Sequence, residues 1–238
     1  MRVGHSDLIF CYSFDRLTPD GLLYDHGPLA LHATPGAAGA APVRQLDGSY
    51  LFSGAQYFAL SGASQARFYA NAPTGAHTWL WVASCTYAGG ANIIFNAADI
   101  NAGNWYGIAA LTVETAPLRQ MAMTGYATAV TNYVHSVRAF TIANKVSVSC
   151  VTVEASPRGM QDGTATTGSW GGGGNGTVVY RTAVEPRIGG SALWTPLGGR
   201  LYYLALLRGA VSSADMAELS AMMMNATSGT SPWPFCTR

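Results

Sequence analysis

Glu114, Glu154, Glu185 and Glu218 are the side chains through which this sequence would do acid–base chemistry. Retaining hydrolysis of a glycosidic bond needs two carboxyl groups about 5 Å apart, one as nucleophile and one as acid. On a strand the simplest arrangement is Glu-x-Asp-x-(x)-Glu, because a period of two puts alternate side chains on one face. No such run occurs, and the nearest acidic pair, Asp215 and Glu218, falls in a helix-like segment. "GGGGNG" (171–176) formally contains G-x-G-x-x-G, but a dinucleotide site needs a strand before it and a helix after it. Here the strand-like "TVVY" follows instead. There is no Walker sequence and no G-x-S-x-G elbow. His5, His26, His32, His77 and His135 are scattered without zinc-ligand spacing.

Binding candidates are more numerous. "AADINAGN" (97–104) offers Asp99, Asn101 and Asn104 as oxygen ligands for calcium, although one carboxylate makes a poor cage and the plainer reading is ordinary turn residues. No other cofactor is implied. Trp170 stands in "GTATTGSWGGGGNGT" (163–177), read as a long flexible loop that also carries Asn175. A ring held there would stack on a sugar or anchor in a neighbouring subunit, unless the loop folds back and buries it. Cys11, Cys85, Cys150 and Cys236 fit no C-x-x-C spacing, each sits alone, and all are expected as reduced thiols.

Composition narrows the function classes. Of 238 residues 49% are hydrophobic, enough for a substantial core, and only 11% are charged against about 25% in an average soluble domain. The net charge of +1 and the lack of a basic run leave no footprint for nucleic acid. Nothing approaches the roughly 18 apolar residues of a membrane span. The first residues, "MRVGHSDLIFCYSFD", have neither a long apolar segment nor a small-residue cleavage site, so the chain is read as unprocessed and folded in a cytoplasm. Its only lysine is Lys145, the other basic residues being arginine, which suits either a surface made for subunits or a GC-rich genome.

The elements that would position these residues are mostly strands. Runs rich in β-branched and aromatic residues recur at 8–14, 49–54, 56–61, 78–87, 91–97, 105–113, 119–125, 145–154, 176–182 and 200–208, separated by Gly, Pro, Asn and Asp. "KVSVSCVTVE" alternates, with Val146, Val148 and Cys150 on one face and Ser147 and Ser149 on the other. A single helix is expected over 212–224. Ser212 is its N-cap, Asp215 its capping acid, Asn225 its end, and Met216, Leu219, Met222 and Met223 its apolar stripe. "RLYYLALLR" is peculiar, since Leu201 to Leu207 is apolar on both faces. Something must cover the second face, either another subunit or the chain's own tail, in which Trp233 and Phe235 are too apolar to hang in water.

The order of elements resembles the laminin-G-like, concanavalin A-like jelly rolls over roughly residues 8 to 224. The likeness runs through "LIFCYSFD", "LYDHGPLALHA", "LDGSYLFSGAQYFAL", a core Trp81 in "TWLWV", the Asp162-Gly163 hairpin of "SPRGMQDGTA", "PRIGGS", and the last strand with its capping helix. It implies an all-β fold: an antiparallel two-sheet β-sandwich with one short C-terminal helix, over residues 1–226, followed by a tail at 227–238. In that pattern Tyr203 and Ala205 fall where polar residues are usual, so both are expected to face outward. The superfamily includes glycoside hydrolases, but no paired carboxylates carry that activity over. The resemblance implies a non-catalytic binding or assembly module of a bacteriophage virion, assembled in the host cytoplasm, as a decoration, tail-fibre or receptor-binding part. Its expected partners are other virion subunits or further copies of itself, and a surface glycan. Candidate contacts are Trp170, Asn175, Asp99, Asn101, Asn104, Tyr203, Trp233 and Phe235. A diverged glycan-processing enzyme and a bacterial carbohydrate-binding lectin are the alternatives.

Overall fold

The apolar run at 201–207 forms the last strand of the protein in a computed structural model that describes residues 4–36, 41–85, 91–113, 119–128, 131–137, 145–171 and 176–236. The strands in chain order are β1 (Leu8–Tyr12), β2 (Thr34–Pro35), β3 (Val43–Arg44), β4 (Tyr50–Ser53), β5 (Phe58–Ala59), β6 (His77–Cys85), β7 (Ala91–Asn96) and β8 (Asp99–Asn101). They continue with β9 (Asn104–Val113), β10 (Arg119–Thr128), β11 (Thr131–Val137), β12 (Ser147–Val153), β13 (Arg158–Gln161), β14 (Thr164–Gly171), β15 (Arg187–Ile188) and β16 (Gly198–Arg208). Two helices, α1 (Gly62–Asn71) and α2 (Ser213–Thr227), complete the described elements apart from a 3-10 turn at His5–Asp7.

All pairings between these strands are antiparallel, and they make two sheets. The first runs β13–β12–β6–β16–β4–β3, with β1 sharing the flank of β16 that β4 leaves free. The second runs β2–β5–β15–β7–β9–β10–β11, with β8 folded back on β9. Strand β14 belongs to both, pairing with β13 through Thr164–Thr166 and with β11 through Thr167–Gly171. The fold is therefore the all-β two-sheet sandwich expected.

The main core lies between the sheets. Phe10 and Tyr12 from β1, Trp79 and Trp81 from β6, Phe95 from β7 and Leu204 and Leu206 from β16 meet there, all fully buried. Phe10 touches the rings of Trp79 and Phe95, with centroids 6.1 and 5.2 Å away. The pairing of β16 with β6 shifts between Leu201 and Tyr203, so Leu201 and Leu204 both reach this core although they are an odd number of positions apart. Beyond the shift Tyr203, Ala205 and Leu207 point to the opposite side of the first sheet.

That opposite side is not solvent. Tyr203 and Ala205 face away from the inter-sheet core, as expected, and Tyr203 is 0% exposed because the chain itself supplies the cover that this face requires. Met216, Leu219 and Met223 of α2 pack on it together with Leu80, Val82, Val148 and Cys150. The tail finishes the layer: Trp233 stacks on Tyr203 with centroids 5.3 Å apart and rings 14° from parallel, and the Tyr203 hydroxyl donates to the Pro234 carbonyl at 3.0 Å. Helix α2 starts as expected, with Ser212 Oγ accepting from the Asp215 N–H at 3.1 Å, but it ends at a Ser228 cap and not at Asn225.

Other expectations need correction. Helix α1 was not foreseen; only Ser64 and Phe68 of it are buried, so it carries no apolar stripe to read. The run at 176–182 forms no strand, although Val178 and Val179 donate singly to Thr74 and Gly125. Strand β12 alternates in sequence yet is buried on both sides, because its polar Ser149 accepts a hydrogen bond from Gln120 Nε2 of the other sheet at 2.6 Å. The Asp162-Gly163 hairpin is present, with positive φ at both residues as a two-residue type I′ turn requires.

Two outcomes follow from this packing. His77 is fully buried at the start of β6, its Nδ1–H donating to the Gly75 carbonyl at 2.9 Å while Nε2 has no partner. Burial pushes its pKa down to about 4. An unfolded imidazole takes its proton near 6.5, so the stabilisation is complete above that pH and is lost as pH falls toward 4, roughly 3 kcal/mol in all. Urea titrations across this range should show the slope, and His77→Gln should flatten it. Trp233→Ala should cost about 2 kcal/mol through the lost Tyr203 stack and release the tail, read as faster chymotryptic cleavage at Phe235.

Candidate functional site

Strand β1 ends at Tyr12, and the chain then makes a loop whose return leg, Tyr24–His26, lies back along it. Asp25 fixes that leg. Its carboxylate, 2% exposed, accepts from the N–H groups of Cys11 at 2.8 Å, Gly27 at 2.8 Å and Leu31 at 2.7 Å, and the His26 N–H donates to the Cys11 carbonyl. Burial raises the Asp25 pKa, while the three amides oppose it. Gly27 is required beside it, since a Cβ there would stand 2.9 Å from Asp25 Oδ1 and 3.1 Å from the Phe10 Cα.

With Asp25 turned inward, its neighbours Tyr24 and His26 line a cavity of about 1050 Å³ together with Ser13, Asp15, Arg16 and, from the tail, Pro232, Trp233 and Cys236. Its volume is at the large end for small-ligand pockets. Tyr24 is the centre of a ring cluster, flanked by His26 at 4.9 Å and His32 at 5.0 Å, with the Arg16 guanidinium 4.6 Å from its centroid. Two of the five histidines that look scattered in sequence thus converge on one tyrosine. No group of three or more metal-ligating side chains occurs among the described residues.

Ser13, His26 and Asp15 form a hydrogen-bonded trio, but in an order unlike a nucleophilic triad. Ser13 Oγ donates its one proton to Asp15 Oδ1 at 2.5 Å, so the His26 Nε2 2.8 Å away is the donor to Ser13 Oγ. A triad needs the imidazole between hydroxyl and carboxylate, where it can accept the hydroxyl proton. Here the hydroxyl lies in the middle. Burial lowers the His26 pKa, Asp15 opposing and Arg16 reinforcing the shift. The cavity therefore presents fixed donors and acceptors beside aromatic faces and a cation.

The residues singled out in sequence do not gather at one place. Asp99 and Asn101 lie in β8 and Asn104 opens β9, forming a hairpin around Ala102 and Gly103. The Asp99 carboxylate is bound to the Arg181 guanidinium, which takes the charge a calcium ion would need. Trp170 is not in a loop but in β14, paired with Val134 of β11. Asn175 lies outside the described residues, as does Glu114. Glu154 and Glu185 are ion-paired with Arg158 and Arg187. Tyr203 is sealed between the first sheet and the covering of α2 and the tail, Phe235 is half-buried in that covering, and Trp233 also lines the cavity. A stacked, half-buried pair, Trp105 and Trp194, centroids 6.0 Å apart, covers the outer side of the second sheet. Trp194, Tyr24 and Arg16 carry no signal in the sequence, because each lies in a loop with no periodic pattern.

No protein-family model and no curated protein matches the sequence. Solved structures do. A sialidase of Trypanosoma rangeli in complex with sialic acid superposes with a TM-score of 0.56 at 14% identity, over 92% of this chain and 33% of its own. The binding domain of botulinum neurotoxin DC in complex with SialylT gives 0.59 at 9% identity, over 92% of this chain and 51% of its own. A structure from work on ganglioside-dependent cell entry of botulinum neurotoxin type C gives 0.56 at 8%, over 91% and 51%. The chain thus spans about a third of the sialidase and half of the toxin chains, and at these identities the likeness shows the fold alone.

The cavity depends on Asp25. Asp25→Ala would leave three amides without their acceptor and should cost about 3 kcal/mol or more in chemical denaturation, whereas Asp15→Ala, on the exposed rim, should cost under about 1 kcal/mol.

Proposed function

We propose that this chain is a non-catalytic glycan-binding β-sandwich module, and that the cavity between the Tyr24–His26 loop and the tail takes the sugar. The observation that carries the reading is the lining: the Tyr24 and Trp233 rings, apolar partners for sugar C–H faces, stand beside the Ser13–His26–Asp15 network and Arg16. Arg16 suits a carboxylate-bearing sugar, because a guanidinium binds a carboxylate through two parallel hydrogen bonds. Structural neighbours described in complex with sialic acid and with SialylT support that choice of ligand class. The order of the trio, in which Asp15 holds the Ser13 proton and the His26 imidazole is a donor to the hydroxyl, supports binding without turnover.

The wider role we assign is that of a bacteriophage virion component. It is supported by the laminin-G-like order of motifs and by an arginine-rich, nearly lysine-free composition. The apolar face of β16 no longer argues for a subunit contact, since α2 and the tail occupy it.

A glycan array probed with the purified chain tests the reading. Binding should concentrate on acidic glycans. Arg16→Ala should weaken it by roughly ten-fold or more, and Tyr24→Ala by about ten-fold. Release of free sugar from a bound glycan would overturn the non-catalytic assignment. Binding that is indifferent to both substitutions would move the site elsewhere.

A further inference from the structure

Cys11 and Cys236 stand at opposite ends of the chain, 225 residues apart, yet their sulfur atoms lie 3.0 Å from each other. Each cysteine is isolated in sequence; the docking of the tail brings these two together. We propose that Cys11 and Cys236 are a thiol pair that a low-molecular-weight disulfide oxidises to a reversible cross-link, fastening the tail to β1.

The surroundings suit such a pair. Cys11 is fully buried in β1, its Sγ also 3.5 Å from the Tyr203 hydroxyl and from the Pro234 carbonyl. Cys236 is half-buried and lines the cavity, so an oxidant reaches it from solvent. Tyr203, stacked on Trp233 and bonded to Pro234, holds the tail in register with β1. Cys85 and Cys150 are both buried.

The chemistry balances with the oxidant named. The Cys236 thiolate attacks one sulfur of the small disulfide and expels the other half as a thiolate, leaving a mixed disulfide on Cys236. Burial, and then the neighbouring Cys236, hold the Cys11 pKa well above the ordinary thiol value, so Cys11 waits as the resolving thiol. Its proton passes to the departing thiolate, and its sulfur attacks the Cys236 sulfur and expels the second small thiol. Two protein thiols lose two electrons and two protons; the small disulfide gains them as two thiols. The bond closes a loop of nearly the whole chain, where cross-links restrict the unfolded state most. Because Cys236, Trp233 and Pro232 form one wall of the cavity, the same bond fixes that wall.

The experiment uses the full chain and oxidised glutathione. Peptide mapping without reduction should show a linked Cys11–Cys236 peptide, with two of the four thiols lost to alkylation and both recovered on adding reduced glutathione. Oxidation should slow chymotryptic cleavage at Phe235 by at least roughly ten-fold and raise the thermal midpoint by about 8 °C or more. Cys236→Ser, a change in the half-buried tail, should remove all three effects. Three results would overturn the proposal: Cys236 stopping as a glutathione adduct, Cys236 linking to a second copy, or all four thiols staying alkylatable under excess oxidised glutathione. The map on the unaltered protein decides the matter even if the variant folds poorly.

Discussion

A central strand that is apolar on both faces needs cover on both faces, and β16 sets that demand for this protein. One face is met by the second sheet, through Leu204 and Leu206 against the aromatic cluster around Phe10 and Trp79. A two-layer sandwich has nothing to offer the other. The chain supplies a third layer from the residues that follow the strand immediately: a turn at Gly209, helix α2, and then the tail. Short connections keep the entropy cost of this folding-back small, and α2 lies over the very strands, β12 and β13, that flank the layer. The polar stitches are few and well placed. Ser220 accepts from the Gly163 N–H of the hairpin turn at 3.1 Å, and Arg158 reaches the Val211 carbonyl at 2.7 Å.

The cavity is a by-product of that third layer. Pro232, Trp233 and Cys236 of the tail line one part of it, and Ser13, Asp15, Arg16, Tyr24 and His26 of the loop that Asp25 binds to β1 line the other. Neither part alone encloses anything. The two meet because Cys11, the last residue but one of β1, is at once a backbone partner of Asp25 and His26 and a side-chain neighbour of Tyr203 and the tail. The lining of the cavity is thus assembled from side chains on irregular chain, with Ser13 buried among them, and is carried by a rigid sheet, a common division of labour between loops and scaffold.

The legible parts of the sequence were those where a local pattern and the tertiary environment agree. Ser212 and Asp215 announce the start of α2, Asp162-Gly163 the hairpin, and Trp81 a core position. The illegible parts are those where they diverge. Helix α1 buries only Ser64 and Phe68, so its sequence has no periodic stripe. Ser149 looks solvated because it alternates with Val148 and Cys150, but Gln120 from the other sheet satisfies it in the interior. Tyr203 is legible as a residue of the outer face of its strand, but the apolar run alone leaves open whether a subunit or the tail covers it; Trp233 and Pro234 do. The cavity itself leaves no trace in the sequence, because Arg16, Tyr24 and His26 follow no periodic pattern and His26 is one of five histidines without ligand spacing. Their convergence depends on a carboxylate, Asp25, whose three acceptor bonds leave no mark in spacing.

Strand β14 has a meaning beyond the topology it closes. A sheet edge displays unpaired N–H and C=O groups, and such edges recruit strands from other molecules. Because β14 pairs with β13 over one half and with β11 over the other, both sheets share a boundary there. The ends of the strand path are β2 and β3, each only two residues long, and the outward side of β1 is taken up by Asp25 and His26. Among the described residues, then, a barrel-like seam and clipped margins guard a protein unusually poor in charge against edge-to-edge aggregation, a task that lysines on edge strands often perform in other sheets.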